Sequence, residues 1–343
     1  TALAQLGDLL KPRREAVDGP VVYFVDHFFR DHELIGRLPM EKGDQLHFVD
    51  SSSEPEVTRI DAFKEAVSAA DSRTPCCVVG IGGGNALDTA KAVANLLTNP
   101  GKAEDYQGWE LVKSPAVYKI GIPTLSGTGS ECSRTCVLTN IPKNLKLGMN
   151  SDYTVYDQLL LDPDLLATVP RDQYFYTGID TFMHCVESLQ GSYRNAIIDA
   201  FSVRAVQLCE EIFLSDDMMS EENREKMMIA SYIGGMAAGN VGVIHPFSAG
   251  LGVVLHVAHG LGNCLALNVL GDIYPKEYKQ FRTMIERQGV NLPTGICKDL
   301  TEEQYEGLYR GCIVHEKPLT NALGPDFKQI LTRENLIERY KSI

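Results

Sequence analysis

The stretch that most limits how this chain can fold lies between residues 76 and 97. An apolar run over 76–81 meets Gly82-Gly83-Gly84-Asn85, and a helical pattern follows at once over 86–97. A strand apolar on both faces belongs inside a parallel sheet, where each strand is followed by a crossover, usually a helix. The texture recurs on either side. Residues 21–25 form an apolar run ending in Asp26, and 45–49 a weaker strand. Residues 53–70 place Val57, Ile60, Phe63, Ala66 and Val67 on one helical stripe. Strand-like pieces continue at 118–123, 137–139 and 159–161, and 2–10 reads as a short helix. The alternation predicts a doubly wound α/β nucleotide-binding domain with a parallel sheet over residues 1–162.

After Asp162-Pro163 the strand runs stop. Helical patterns take over at 171–190, 195–214, 221–239, 275–288, 302–314 and 332–342. They predict an all-helical domain over 163–343. Thr301 followed by Gln304 reads as a capping box. Residues 318–327, rich in turn formers, read as a loop. A chain of 343 residues exceeds one ordinary core, which agrees with two domains.

Composition excludes some function classes. A net charge of −13 argues against nucleic acid or an anionic membrane as the main partner. No apolar run approaches the roughly 18 residues that a spanning helix needs. The nine cysteines are odd in number and form no C-x-x-C pair, which reads as reduced thiols of a cytoplasmic protein, mostly small core residues. The opening at Thr1, without Met or a signal-like segment, reads as a trimmed start.

Two loops carry glycine at strand ends. Gly82, Gly83, Gly84 and Asn85 suit a pyrophosphate, because glycine lets backbone approach a ligand and a helix N-terminus offers N–H groups and partial positive charge. The alternative is a tight turn with Asn85 as an ordinary N-cap. Residues 124–130, a flexible hydroxyl-rich loop, also follow a strand, and ligands of open parallel sheets sit beyond the strands' carboxyl ends. Asp26 is placed to accept from a ribose hydroxyl, or is a solvated turn residue.

The stretch 242–263 holds His245, His256 and His259, and His184 lies upstream, four residues after Asp180. On a helix Asp180 and His184 share a face. Small residues around His245 and His259 leave room for an ion. A carboxylate with imidazoles converging from two segments suits zinc or ferrous iron rather than magnesium or calcium. Four protein ligands would close a tetrahedral zinc, whereas iron keeps open positions.

These residues resemble the iron-containing (group III) alcohol dehydrogenase family over nearly the whole chain. The markers are Gly82 to Asp88 with Lys91, Pro123 to Glu131, Asp162-Pro163 with Pro170, Gly178 to His184, His245, and His259 to Asn263. The resemblance implies an N-terminal nucleotide-binding domain, a C-terminal helical domain and a site in the cleft between them. It implies a divalent metal, Fe2+ or Zn2+, on Asp180, His184, His245 and His259, and NAD(P) bound with its pyrophosphate at Gly82 to Asn85. Asp88, Thr124, Thr128 and Lys146 match positions lining cofactor or cleft, and Asp26 matches the position that favours NAD over NADP. Two departures stand out. Ala249 occupies the position, four after the third ligand, where a proton-relay histidine is common; His256 is the candidate catalytic group in its place. Asn85 stands where serine is usual. The first departure leaves the electron acceptor, NAD(P) or oxygen, open.

Within the family the chain is similar to the branch that oxidises the terminal C8 hydroxyl of 3-deoxy-manno-octulosonate in lipopolysaccharide sugar biosynthesis. That implies an anionic sugar-acid substrate, for which Arg134 and Lys146 are candidate cations. The resulting expectation is a metal-dependent oxidoreductase, a homodimer as the resemblance implies, turning a primary alcohol into an aldehyde. The alternatives are a dehydroquinate-synthase-like lyase and a protein whose metal only braces its helices.

Overall fold

The computed structural model describes residues 2–343. They divide into two compact units, one made of residues 2–125 and 130–166, the other of 126–129 and 167–343. No helix among the described residues is long and apolar enough to cross a membrane.

The first unit runs α1 (Leu6–Ala16), β1 (Val21–Asp26), β2 (Gln45–Val49), α2 (Val57–Ala70), β3 (Cys77–Gly82), α3 (Gly84–Leu96), β4 (Gly108–Trp109), β5 (Lys119–Pro123), β6 (Thr135–Asn140), β7 (Leu145–Asn150) and β8 (Gln158–Leu159). Five strands form a parallel sheet in the order β2-β1-β3-β5-β8. Side chains of β1 and β3 alternate between two cores. Val22, Phe24 and Val78 pack with Val57, Ile60, Ala90 and Val93 of α2 and α3. Val21, Tyr23, Val25, Val79 and Ile81 pack with Leu6 and Leu10 of α1 and with Phe29 and Leu34. Both faces are thus covered, which is why these strands read as unbroken apolar runs. The chain leaves β1 toward β2 on one side and β3 on the other, so the ends of β1 and β3 form the sheet's topological switch point.

A second sheet, β4-β7-β6, was not legible in sequence beyond a fragment of β6. Its β6–β7 pair is antiparallel, a hairpin whose register runs from Thr135 opposite Asn150 to Asn140 opposite Leu145. Helix α2 begins at Val57 rather than at 53, because residues 51–55 are held as a loop and Pro55 disfavours helical backbone before it.

The second unit is helical: α4 (Arg171–Gln190), α5 (Ala196–Phe213), α6 (Glu221–Gly235), α7 (Ile244–Leu255), α8 (His259–Val269), α9 (Pro275–Gln288), α10 (Glu302–Ile313), α11 (Glu316–Leu323), α12 (Phe327–Ile330) and α13 (Arg333–Lys341). The Thr301–Gln304 capping box is present at the start of α10. The expected loop at 318–327 is corrected: residues 316–323 are helical. Pro318 sits in the first turn, where its missing N–H breaks no helical bond. Asn321 anchors the segment by donating to the carbonyls of Asn240 and Val241 and accepting from the N–H of Tyr193. All nine cysteines are free and all but Cys132 are buried.

One part-buried ion pair ties α1 to the chain before β2. Arg14 donates to both oxygens of Asp44, at 2.9 and 2.5 Å, and Asp44 also accepts from the N–H of Val21 and Glu41. Burial works against the Asp44 carboxylate, but these donors outweigh it and hold the carboxyl below its usual range. A depressed pKa contributes stability above the unfolded carboxyl range and loses it as pH falls through the folded one. Asp44→Asn is therefore expected to lower the unfolding free energy by about 2 kcal/mol at neutral pH. The difference from the unchanged protein should shrink below about pH 4, as read by denaturant titrations across pH.

Candidate metal centre

Helix α4 carries Asp180, His184 and Glu187 on one face, at spacings of four and three. His245 lies in the first turn of α7, and His259 opens α8. Three helices with small residues at their crossings bring these side chains together. A Cβ on Gly260 would lie 2.6 Å from the carbonyl oxygen of Tyr176 on α4, and one on Gly262 would lie 2.5 Å from Oγ of Ser248 on α7. The glycines of the His259–Asn263 segment are therefore packing requirements.

One ligand atom from each of Asp180, His184, His245 and His259 lies within 4.8 Å of all the others. Asp180, fully buried, is the hub. Its Oδ1 is 3.1 Å from His245 Nε2 and 3.7 Å from His184 Nε2, and its Oδ2 is 3.5 Å from His259 Nε2. The His184 and His245 rings stack with centroids 4.5 Å apart. His259 is the most open of the four, with 29% of its side chain exposed. Burial alone would raise the Asp180 carboxyl, but His184, His259 and His245 outweigh it and keep it ionised. Burial pushes His184 down to about 4, leaving its ring neutral with a lone pair to offer. Burial also opposes a charged His245, yet Glu187 and Asp180 together lift that ring to about 9.

Two residues that sequence reasoning missed complete the cluster. Glu187 Oε2 lies 2.5 Å from His245 Nδ1, while its Oε1 accepts from the N–H of Ile244 at 2.6 Å and from the Tyr274 hydroxyl at 3.3 Å. Asn263 Nδ2 donates to Asp180 Oδ1 at 2.6 Å and lies 3.4 Å from His245 Nε2 and 3.3 Å from His259 Nε2. The signal for both was spacing: Glu187 is three after His184 and Asn263 four after His259, each on its ligand's helical face. The donor set fits a divalent ion of borderline softness. Asp180 Oδ2 and His184 Nδ1 are buried with no hydrogen-bond partner, and buried polar atoms rarely stay so.

His256 is not in this cluster. It is exposed and closes α7 in a left-handed conformation, φ 55° and ψ 29°, its N–H donating to the carbonyl of Leu251. Ala249 is buried one helical turn after His245.

In the α/β unit, β3 ends at Gly82 with φ +152°, and the N-cap of α3 is Gly83. The N-cap alternative for Asn85 is thereby corrected: the side chain turns instead to donate to the carbonyl of Ser53 at 2.9 Å and that of Ser51 at 3.4 Å. A Cβ on Gly82 would lie 2.6 Å from Ala86 Cβ and 2.9 Å from Asp26 Cβ, so bare backbone is required where β1 and β3 end. Asp26 accepts from the N–H of Phe28 and the hydroxyl of Ser51. The open backbone at Gly82 to Gly84, at the start of α3, fits a phosphate-bearing cofactor.

The other expected cofactor positions are engaged within the protein. Asp88 accepts from the Ser130 hydroxyl at 2.5 Å and the N–H of Val137 at 2.8 Å, and Lys91 donates to the carbonyl of Ser130 at 2.8 Å. This pair fastens residues 130–137 to α3. Lys146 pairs with Glu54 at 3.1 Å, and Arg134 pairs with Glu110 and Asp152. Thr124 is buried, its N–H donating to the carbonyl of Gly82. Thr128 lies in the segment 126–129 that belongs to the helical unit. That segment is not the flexible loop expected. A Cβ on Gly127 would overlap the carbonyl of Thr177, one on Gly129 would meet Gly235 Cα at 2.3 Å, and the Gly127 N–H donates to Ser231.

A parallel α/β unit with a glycine-bared switch point and, in the same chain, a helical unit holding one carboxylate and three imidazoles define a class of nucleotide- and metal-binding protein. Two family models match it: iron-containing alcohol dehydrogenase over residues 2–163, and the C-terminal model of the same family over 174–307. The chain belongs to the iron-containing alcohol dehydrogenase family. It is 34% identical over 220 residues to sulfoacetaldehyde reductase of Bilophila wadsworthia, covering 62% of this chain and 56% of that one. It is 32% identical over 208 residues to NAD-dependent methanol dehydrogenase of Bacillus methanolicus, covering 60% and 53%. The chain thus spans about half the length of these curated relatives. Among solved structures, the fold matches alcohol dehydrogenase from Oenococcus oeni with a TM-score of 0.82 at 21% identity, covering 99% of this chain and 95% of that one. It matches sulfoacetaldehyde reductase from Bifidobacterium kashiwanohense, solved with NAD+, with a TM-score of 0.77 at 24% identity, covering 98% and 93%.

Glu187→Gln is expected to weaken metal binding by roughly 10- to 100-fold, as outer-shell partners of ligating histidines do. His256→Gly should leave metal affinity unchanged and preserve or slightly raise stability, because glycine takes the left-handed position without strain. Chelator competition and thermal melts on both variants measure these outcomes.

Proposed function

We propose that this protein is a metal-dependent oxidoreductase interconverting a primary alcohol and its aldehyde, with a nicotinamide cofactor as hydride partner. The observation that carries the reading is the convergence of Asp180, His184, His245 and His259 on one point at the meeting of three helices. When bound, a divalent ion supplies the Lewis acidity that lowers an alcohol's pKa, and a nicotinamide supplies the hydride acceptor.

The chain's own residues divide the remaining tasks. Asp180, His184, His245 and His259 hold the ion, with Asn263 fixing the Asp180 carboxylate and Glu187 fixing the His245 ring. Gly82, Gly83, Gly84 and the N–H groups opening α3 receive the pyrophosphate. Asp26 accepts from the adenosine ribose. The relative openness of His259 marks the side from which substrate enters. Ferrous iron is the proposed ion, supported by the family and by the open positions that iron keeps beyond four protein ligands. The relatives named above are all dehydrogenases or reductases by name, which supports redox chemistry over the lyase alternative. They also support NAD over oxygen as electron acceptor.

The substrate is proposed at the level of a small primary alcohol or aldehyde. The finer reading, the C8 hydroxyl of 3-deoxy-manno-octulosonate, loses support because both of its candidate cations, Lys146 and Arg134, already pair with carboxylates. We carry the homodimer as part of the proposal, supported by exposed apolar side chains on α5 and α6, among them Ile197 and Ile229.

The test is one purified, metal-analysed preparation reloaded with Fe2+ or Zn2+ and assayed with primary alcohols and with the octulosonate. One arm contains NAD without oxygen, the other oxygen without NAD. NADH formation in the first arm, dependent on iron, is expected. His259→Ala should lose both bound metal and turnover; full activity in a metal-free His259→Ala protein would refute the proposal.

A further inference from the structure

The Asn85 side chain has no role in the chemistry proposed above. Its amide instead reaches across to two carbonyls of the segment that follows β2, those of Ser51 and Ser53, which are 34 and 32 residues away in sequence. That segment is fastened elsewhere too. Arg59 donates to the Ser53 hydroxyl at 3.2 Å, and Glu54 pairs with Lys146. The member that matters is Ser51. Its hydroxyl donates to Asp26 Oδ2 at 2.8 Å, while the N–H of Phe28 donates to Asp26 Oδ1 at 3.0 Å. A Cβ on Gly82 would lie 3.5 Å from Asp26 Oδ2, so the carboxylate stands directly beside the bare backbone at the end of β3.

We propose that Asn85 is a positioning residue for nucleotide discrimination: through Ser51 it sets the orientation of the Asp26 carboxylate that meets the adenosine ribose. The inference rests on the nicotinamide reading above. A carboxylate has about four acceptor sites. Phe28 and Ser51 occupy one on each oxygen, leaving each oxygen one site for a vicinal diol. The same fixed negative charge repels a 2′-phosphate. A serine at position 85 has one donor on a shorter side chain and cannot hold both carbonyls. Ser51 would then be free to shift, and the Asp26 carboxylate with it. The diol would lose its oriented acceptor and the phosphate would lose part of its repulsion.

The experiment measures dissociation constants for NAD and NADP by calorimetry on the full chain and on Asn85→Ser, Ser51→Ala and the double variant, with thermal melts as a fold control. Asn85→Ser is expected to weaken NAD roughly three- to tenfold and to weaken NADP less, so the preference for NAD falls. Ser51→Ala should reproduce that fall, and the double variant should add little to either, as expected for residues acting in series. Equal weakening of both nucleotides by Asn85→Ser would mean that the residue acts on the shared pyrophosphate or on the fold, and overturns the inference. An additive double variant overturns it as well. If the unaltered protein binds neither nucleotide, the nicotinamide reading falls, and this inference falls with it; that outcome is distinct because it appears before any substitution is made.

Discussion

A charge buried at the hub of the helical unit sets its design. The Asp180 carboxylate has no solvent exposure, and an isolated ion there would cost several kcal/mol. Everything around it answers that cost. Three imidazoles and the Asn263 amide face it, and Glu187 favours the positive form of the His245 ring that meets it. The arrangement forces α4, α7 and α8 close enough that Gly260 and Gly262 have no space for a side chain. Ligand chemistry and helix packing are thus one constraint. A metal suits the cluster because it takes up the buried Asp180 Oδ2, an acceptor that the protein leaves without a hydrogen bond.

The α/β unit solves a different problem at the ends of β1 and β3. Here the limiting quantity is space beside the backbone. Gly82 adopts φ +152° and abuts Asp26, so the strand end stays bare where a sheet of this order receives ligands. Asp88 and Lys91 buttress this end from within by holding residues 130–137 against α3. Gly127 and Gly129 look similar in sequence but serve another need. They pass through a gap in the helical unit too narrow for any Cβ.

Much of the fold was legible because its signals are local. The apolar runs of β1 and β3 and the patterns at 171–190 and 275–288 coincide with elements of the structure. What escaped needed long-range partners. Helices α7 and α8 are apolar on nearly every side and interrupted by glycine, so they show no polar stripe and only broken runs of helix-forming residues. Strand β7 exists by pairing with β6, and α11 is anchored where Asn321 ties it to distant backbone.

The sequence by itself determined the kinds of chemistry available: one carboxylate and imidazoles at helical spacing, and a strand that runs into three glycines before a helix. Residue type and short-range spacing carry that information. Only the tertiary structure decided which groups meet. It left His256 outside the cluster, at a left-handed helix end, and opened a new helix with His259 three residues later. It enlisted Glu187 and Asn263, and it turned Asn85 from a cap into a brace for Ser51. Those outcomes depend on helix crossings and on backbone carbonyls tens of residues away, and no local pattern encodes such distances.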